Sequence, residues 1–295
     1  MDLHSGRRVT DPRLEREWPT HRPAVFGAAY RITGSVADAE DVVQDTWLRA
    51  ASRDLGDVRD LRAWLVTVAA RRALDVLTSA RARRVDYVGP WLPEPLLTGP
   101  DAAEPVLLDE TVGTAMLVVL EELTPAERVA FVLHEAFAVD YARIGAVLGR
   151  SAAACRQLAA SARRKVAARH RPAAPAAERD RVLAQFRAAY ENRDETAMLA
   201  LLDPDATLTT DGGAAEGLFA ARKIISGMER VARVLVRVTR RNTLTLTPAE
   251  VNGEPGFLIV RNGRVIGVDT VTVADGRIVA YRRVLNPAKL GHLSR

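Results

Sequence analysis

Cysteine is almost absent from this 295-residue chain. Cys155 stands alone, which excludes an internal disulfide and suits a reducing compartment. Lysine is nearly as scarce. Of 42 basic residues only Lys165, Lys223 and Lys289 are lysine, so arginine is abundant everywhere and signals function only where it is clustered. No apolar run reaches the roughly 18 residues that a membrane span needs. Met1-Asp-Leu-His-Ser-Gly-Arg7 lacks the apolar centre of a signal peptide. The expected setting is therefore the cytoplasm, with no membrane as partner. Histidine is missing between His170 and His292, and no Cys, His, Asp and Glu set has metal-ligand spacing, so no metal or other cofactor is expected.

What is present is enough apolar material for packed cores, 48% of residues, with a moderate positive excess of +5. Such a balance permits a polyanionic partner. Proline punctuates the chain. Gly89-Pro-Trp-Leu-Pro-Glu-Pro95, and the prolines at 100 and 105, exclude a continuous helix. His170-Arg-Pro-Ala-Ala-Pro175 makes a second break. The division is thus 1–88, a proline-rich linker 89–108, 109–170, a second linker 171–178, and 179–295.

The middle segment carries the clearest signal. Tyr141-Ala-Arg-Ile-Gly-Ala-Val-Leu148 reads as a helix with Ile144, Val147 and Leu148 inward. Gly149 ends it, Ser151 caps the next helix, and that helix runs to about Arg169. Cys155, Leu158, Ala159, Ala162 and Val166 recur at helical spacing, while Arg156, Gln157, Arg163 and Arg164 fall opposite. From Tyr141 to Arg171 there is no acidic residue. A helix-turn-helix with a packed back and a cationic front suits DNA phosphates and base edges.

The first segment is helical. Ser35 caps a helix whose inner face is Ala39, Val42, Val43, Thr46, Trp47 and Ala50, and whose outer face is largely acidic, with Asp41, Gln44, Asp45 and Arg49. A second helix, about Asp60 to Arg84, ends in Arg71, Arg72, Arg81, Arg83 and Arg84. One acidic and one basic surface on a small module predict two different partners.

The last segment changes from helices (Arg179 to Asn192, Thr196 to Leu202, and one within Phe219 to Leu235) to strands. Arg261-Asn262-Gly263-Arg264 and Ala274-Asp275-Gly276-Arg277 favour type I′ hairpins around Val265 to Val273. The expected fold is two all-α modules followed by an α+β cone with a curved antiparallel sheet.

Taken together, the chain resembles the extracytoplasmic-function (ECF) sigma factors. Ala37-Asp-Ala-Glu-Asp-Val-Val-Gln-Asp-Thr-Trp-Leu48 is similar to their region two. Leu123-Thr-Pro-Ala-Glu-Arg-Val-Ala-Phe-Val-Leu133 with the helix-turn-helix is similar to region four. Trp91-Leu92-Pro93-Glu94-Pro95 and Asn286-Pro287-Ala-Lys289-Leu290 resemble the subgroup with a SnoaL-like, NTF2-fold C-terminal domain. That subgroup has Asp-Gly-Gly-Gly-Lys where this chain has Asp211-Gly212-Gly213-Ala-Ala215, without the third glycine and the lysine.

The resemblance implies a factor that binds core RNA polymerase and directs initiation at specific promoters. Asp41, Gln44 and Asp45 would meet polymerase. The five arginines from Arg71 to Arg84 would hold the −10 element of promoter DNA. Arg150, Ser151, Arg156, Gln157, Arg163, Arg164 and Lys165 would serve the −35 element, with Arg156 as the foremost base contact. The C-terminal domain would act in cis, with no separate anti-sigma factor evident. Two rivals stay open at this level. One is a one-component regulator sensing a small ligand in the cone. The other is an NTF2-like enzyme using Asp211, Asp269 or Tyr281, although no catalytic histidine is available.

Overall fold

Short polar side chains start most of the helices. The computed structural model describes residues 11–83, 87, 89–98, 113–169, 174–213, 220–241 and 244–293. They fall into two units, Met1–Ala82 with Leu120–Val166, and Arg83–Val119 with Ala167–Arg295.

The first unit is helical. In α1 (Pro12–Thr33) the Asp11 carboxylate accepts from the Arg13 amide, and Gly34 closes the helix at φ 70°. Pro19 and Pro23 lie inside α1, and its second half is held by burial of Val25, Phe26, Tyr30 and Ile32. Ser35 caps α2 (Val36–Ala51) through the Asp38 amide at 3.1 Å. Asp60 accepts from the Ala63 amide at 2.9 Å at the start of α3 (Leu61–Arg83). The inner face expected for α2 is buried, except that Trp47 is half-buried.

After α4 (Thr114–Glu121), whose sequence crosses the boundary between units, come α5 (Pro125–Phe131), a π-helical turn (Val132–Ala136), α6 (Tyr141–Leu148) and α7 (Ala152–Arg169). A capping box starts α5. Glu127 N donates to the Thr124 hydroxyl, and Thr124 N donates to the Glu127 carboxylate.

The second unit is α+β. Helices α8 (Ala176–Asn192), α9 (Glu195–Leu201) and α10 (Met228–Arg241) accompany strands β1 (Leu202–Asp211), β2 (Ile225–Ser226), β3 (Thr245–Val251), β4 (Glu254–Arg261), β5 (Arg264–Ala274) and β6 (Arg277–Val284). The sheet order is β2-β1-β6-β5-β4-β3. Asn262-Gly263 and Asp275-Gly276 both have positive φ at each residue, as type I′ turns require, and Asn252-Gly253 makes a third such turn.

The sheet is mixed rather than wholly antiparallel. β3 to β6 form the expected antiparallel meander, but β1 pairs parallel with β6, Leu208 opposite Tyr281. No hairpin joins β1 to β6, so nothing imposes an antiparallel sense on that pair. The helix within Phe219 to Leu235 begins later, at Met228, and runs on to Arg241.

Both faces of the sheet are covered. Phe186, Tyr190, Met198, Val231 and Leu235 from the helices pack with Leu208, Phe257, Val271 and Tyr281 on one side. On the other, Leu92 from the proline-rich segment packs with Val251, Val268, Val284 and Leu290. That segment also shields the edge strand β3. Asn252 N donates to Leu96 O at 2.7 Å and Thr98 N donates to Glu250 O at 3.0 Å. An exposed strand edge invites unwanted pairing, and this one is covered at its end. Residues 91–98, within the expected proline-rich linker 89–108, thus form a layer of the second unit.

Candidate nucleic-acid interface and linker clasp

The turn between α6 and α7 depends on two glycines. Gly149 adopts φ 64° and closes α6, its amide reaching back to Gly145 O. A Cβ on Gly145 would lie 2.5 Å from the Arg150 carbonyl oxygen, so only glycine lets the next helix approach this closely. Ser151 accepts from the Ala154 amide at 3.2 Å. Cys155, Ala159, Ala162 and Val166 are buried.

Arg150, Ser151, Arg156, Gln157, Arg163, Arg164 and Lys165 are all exposed. They are not equally free. Lys165 Nζ donates to both carboxylate oxygens of Glu127 at 2.8 Å, and Arg163 pairs with Glu135 at 3.4 Å. The Arg156 guanidinium lies 5.4 Å from the centre of the Tyr141 ring, which orients it without removing its charge. Burial alone would raise the Glu127 carboxyl, but hydrogen bonds from Lys165, Thr124 and Ser161 hold its pKa down at about 2.

On the first segment, Asp41 and Gln44 are exposed on α2 and line a groove with Trp18 and Trp47. The two indoles meet edge to face at 4.9 Å. Asp45 instead accepts from Arg72 Nε at 2.7 Å, so one expected polymerase contact and one expected DNA contact hold each other. Arg71 donates to the Ala146 carbonyl at 2.8 Å. The Arg81 and Arg83 side chains, and all of Arg84, lie outside the described residues.

A groove that the sequence did not announce is lined by Arg49, Arg53, Trp64, Thr67, Arg71 and Val147. The Arg53 guanidinium sits 5.5 Å from the centre of the Trp64 ring. An indole among guanidinium groups offers stacking and phosphate pairing to an unstacked nucleotide.

Three separate stretches converge on Asp211, which ends β1 and is fully buried. Its carboxylate accepts from the Tyr87 hydroxyl, from the Leu92 amide at 2.8 Å and from Lys289 Nζ at 2.7 Å. Lys289 Nζ also donates to the Leu92 carbonyl and lies 3.9 Å from the Trp91 ring centre. Asn286 Nδ2 donates to the Tyr87 hydroxyl at 2.8 Å, and Asn286 Oδ1 caps the turn Pro287–Lys289. A His292 ring nitrogen lies 2.8 Å from Pro95 O. Pro93, Glu94, Pro95 and Leu290 are buried around this clasp. Gly213 takes φ 48°, and a Cβ there would collide with the Asn286 side chain. Ala214 and Ala215, where the chain departs from the subgroup's pattern, lie outside the described residues.

Comparison with known proteins decides the family. Residues 19–83 match the model of Sigma-70 region 2, and residues 114–166 match that of Sigma-70 region 4. ECF RNA polymerase sigma factor SigJ of Mycobacterium tuberculosis (strain H37Rv) is 40% identical over 291 residues, 92% of each chain. The chain belongs to the ECF RNA polymerase sigma factors. SigI of the same species is 33% identical over 289 residues, 96% of each chain. The crystal structure of SigJ superposes with a TM-score of 0.76 at 37% identity, covering 94% of this chain and 98% of that one. As an ECF sigma factor the chain is a regulator of initiation, with core polymerase and promoter DNA as partners. Among the described residues no helix is long and apolar enough to cross a membrane.

Of the three cone residues weighed for catalysis, Asp211 is held in the clasp, and Asp269 and Tyr281 are engaged with each other and with arginine. Asp269 is fully buried and forms a bidentate pair with Arg283, Nε and Nη2 each at 2.7 Å, and it accepts from the Tyr281 hydroxyl. Arg283 Nη2 also reaches Tyr281 at 3.1 Å and Tyr190 at 3.3 Å. Burial and the Asp269 charge push the Tyr281 hydroxyl well above its ordinary value. Tyr281 therefore stays protonated and donates to the carboxylate.

Proposed function

We propose that this ECF sigma factor docks on core polymerase through Asp41, Gln44 and the Trp18–Trp47 groove, and reads the −35 element with α7. Arg150, Arg156, Gln157 and Arg164 are the side chains free to meet DNA, with Arg156 nearest to base edges. Lys165 and Arg163 act chiefly within the protein. Trp64, Arg53 and Arg71 serve the −10 side together with the arginines that end α3. The single observation that carries the −35 reading is the packed back of α7 directly after a glycine-closed turn, with its cationic face in solvent.

The C-terminal domain acts in cis, in the place where a separate anti-sigma factor would act. Residues 87–98 belong to the connector between regions two and four. With the clasp shut that stretch is held, and release frees up to about 40 Å of contour for the two regions to span a promoter. The catalytic reading finds little support, because Asp211 and Asp269 are both saturated by cations and hydroxyls. The same saturation speaks against a polar ligand as the domain's main purpose. The working place is the cytoplasm, where polymerase and chromosome meet.

The test is run-off transcription with core polymerase, this chain and a panel of promoter fragments. Initiation that depends on both the chain and the promoter sequence supports the reading. Tight operator binding by the chain alone, with no stimulation of core polymerase, would make it a one-component regulator instead. Turnover lost on Asp269→Asn would revive an enzyme.

A further inference from the structure

The second unit carries a cationic surface that neither the clasp nor the helix-turn-helix uses. Helix α10 buries Val231, Ala232, Leu235, Val236 and Val238 against the domain. Its outer face presents Arg230, Arg233 and Arg237, all exposed. Spacings of three and four residues put them on one side. None of the three makes an ion pair or hydrogen bond among the described residues.

Some arginines on other helices are paired. Arg13 pairs with Glu17 on α1, Arg187 with Glu191 on α8, and Arg163 on α7 with Glu135. The only acid on α10 is Glu229, in its first turn. Neighbouring like charges three or four apart on a helix repel, so this stripe weakens the isolated helix slightly. The segment leading into it adds two more exposed cations, Arg222 and Lys223.

From this uncompensated stripe we infer that α10 is a second DNA-contacting surface, one that grips the phosphate backbone and not the bases. The inference rests on the reading of this chain as a promoter-binding sigma factor. A single straight row of guanidinium groups on a convex helix matches a run of phosphates, with no pocket or aromatic platform to select a base. The helix cannot enter a bilayer, because its apolar side is the inner wall of the domain. The contact adds sequence-independent affinity beside the −35 reader, and it gives the C-terminal domain a direct hold on the template.

The test uses the full chain and a linear DNA duplex of arbitrary sequence, with fluorescence anisotropy from about 25 to 200 mM salt. The triple variant R230Q/R233Q/R237Q should weaken binding on every sequence and reduce the slope of log K against log salt by about 3. Its melting temperature should not fall, since the three side chains lie in solvent and their mutual repulsion is removed. R230K/R233K/R237K should restore the wild-type slope, because phosphate accepts any correctly placed cation. A wild-type slope in the glutamine variant overturns the inference, as does failure of the wild-type chain to bind duplex DNA at the lowest salt. It is overturned equally if the glutamine variant keeps its DNA affinity and loses binding to core polymerase, to RNA or to anionic vesicles. Failure of the sigma reading shows separately, as absence of promoter-dependent initiation by wild-type chain with core polymerase.

Discussion

Glu127 illustrates how one carboxylate serves several elements at once. It completes the capping box of α5 and accepts from Ser161 and Lys165 on α7. Its folded pKa of about 2 lies below the ordinary 4.5. The stabilisation it gives is therefore present above pH 4.5 and is lost as pH falls from there towards 2. Glu127→Gln should lower stability at neutral pH by about 1–2 kcal/mol, the scale of a lost cap and a partly screened pair. Thermal melts across that window should show a pH-dependent component in the wild type that the variant lacks. The Asp211–Lys289 pair is more severe, because both partners are buried. Lys289→Met leaves an uncompensated carboxylate and should cost about 3–5 kcal/mol in the second unit, with a smaller loss in the double variant D211N/K289M. Urea unfolding gives the energies, and amide exchange of residues 87–98 reports release of the connector. Trp91–Pro95, Asp211 and Asn286–Leu290 were each legible in the sequence as motifs of a resemblance. That they form one site was not, since Leu92 and Lys289 lie 119 and 78 residues from Asp211. Tyr87 gave no signal, being a lone aromatic with no period around it.

At the level of the element, the helix-turn-helix tolerates no side chain at Gly145. Gly145→Val would drive a branched Cβ into the Arg150 carbonyl and force α6 and α7 apart. A loss of about 1–3 kcal/mol is expected, with −35 recognition failing before the fold does. Footprinting on a −35 fragment beside far-ultraviolet dichroism separates the two effects. Glycine at 149 is required for its positive φ instead, and Gly149→Ala should weaken the turn by a smaller amount. The phase of α7 and two of the three hairpins were readable because their causes are local: alternation, a cap, and Asn-Gly or Asp-Gly pairs. Helix α1 was not drawn in advance, since Pro19 and Pro23 break the local signal while burial of its second half restores the helix. The parallel pairing of β1 with β6 was equally hidden. It joins residues about seventy positions apart, and no turn chemistry announces it.

At the scale of the molecule, the first unit holds its two promoter-reading regions against each other. Arg71 of α3 donates to the Ala146 carbonyl of α6. The fully buried Arg128 donates to the Arg31 carbonyl at the end of α1 at 2.8 Å. Arg31 and Arg62 also flank the Phe137 ring at 5.4 and 5.7 Å. An arginine bonded to the opposite region has fewer N–H donors left, and less freedom to turn, for meeting a phosphate. If the groove serves the −10 element as proposed, region four is expected to leave α3 before it is fully available. Thr67 and Ala146 line the same groove from opposite sides, and the buried Cys155 leaves introduced thiols free to react alone. In the variant T67C/A146C, a short cleavable bis-maleimide should lock α3 to α6. Run-off transcription with core polymerase should then fall at least tenfold, while cleavage of the linker restores it. Both positions line the groove but supply neither its indole nor its guanidinium groups, so the unlinked variant is the reference against which the locked protein is read. Full activity of the locked protein would mean that both promoter elements are read without any separation of the regions. The Arg71–Ala146 contact would then be simple packing. Intermediate losses that scale with the fraction cross-linked would instead measure directly how far opening limits initiation.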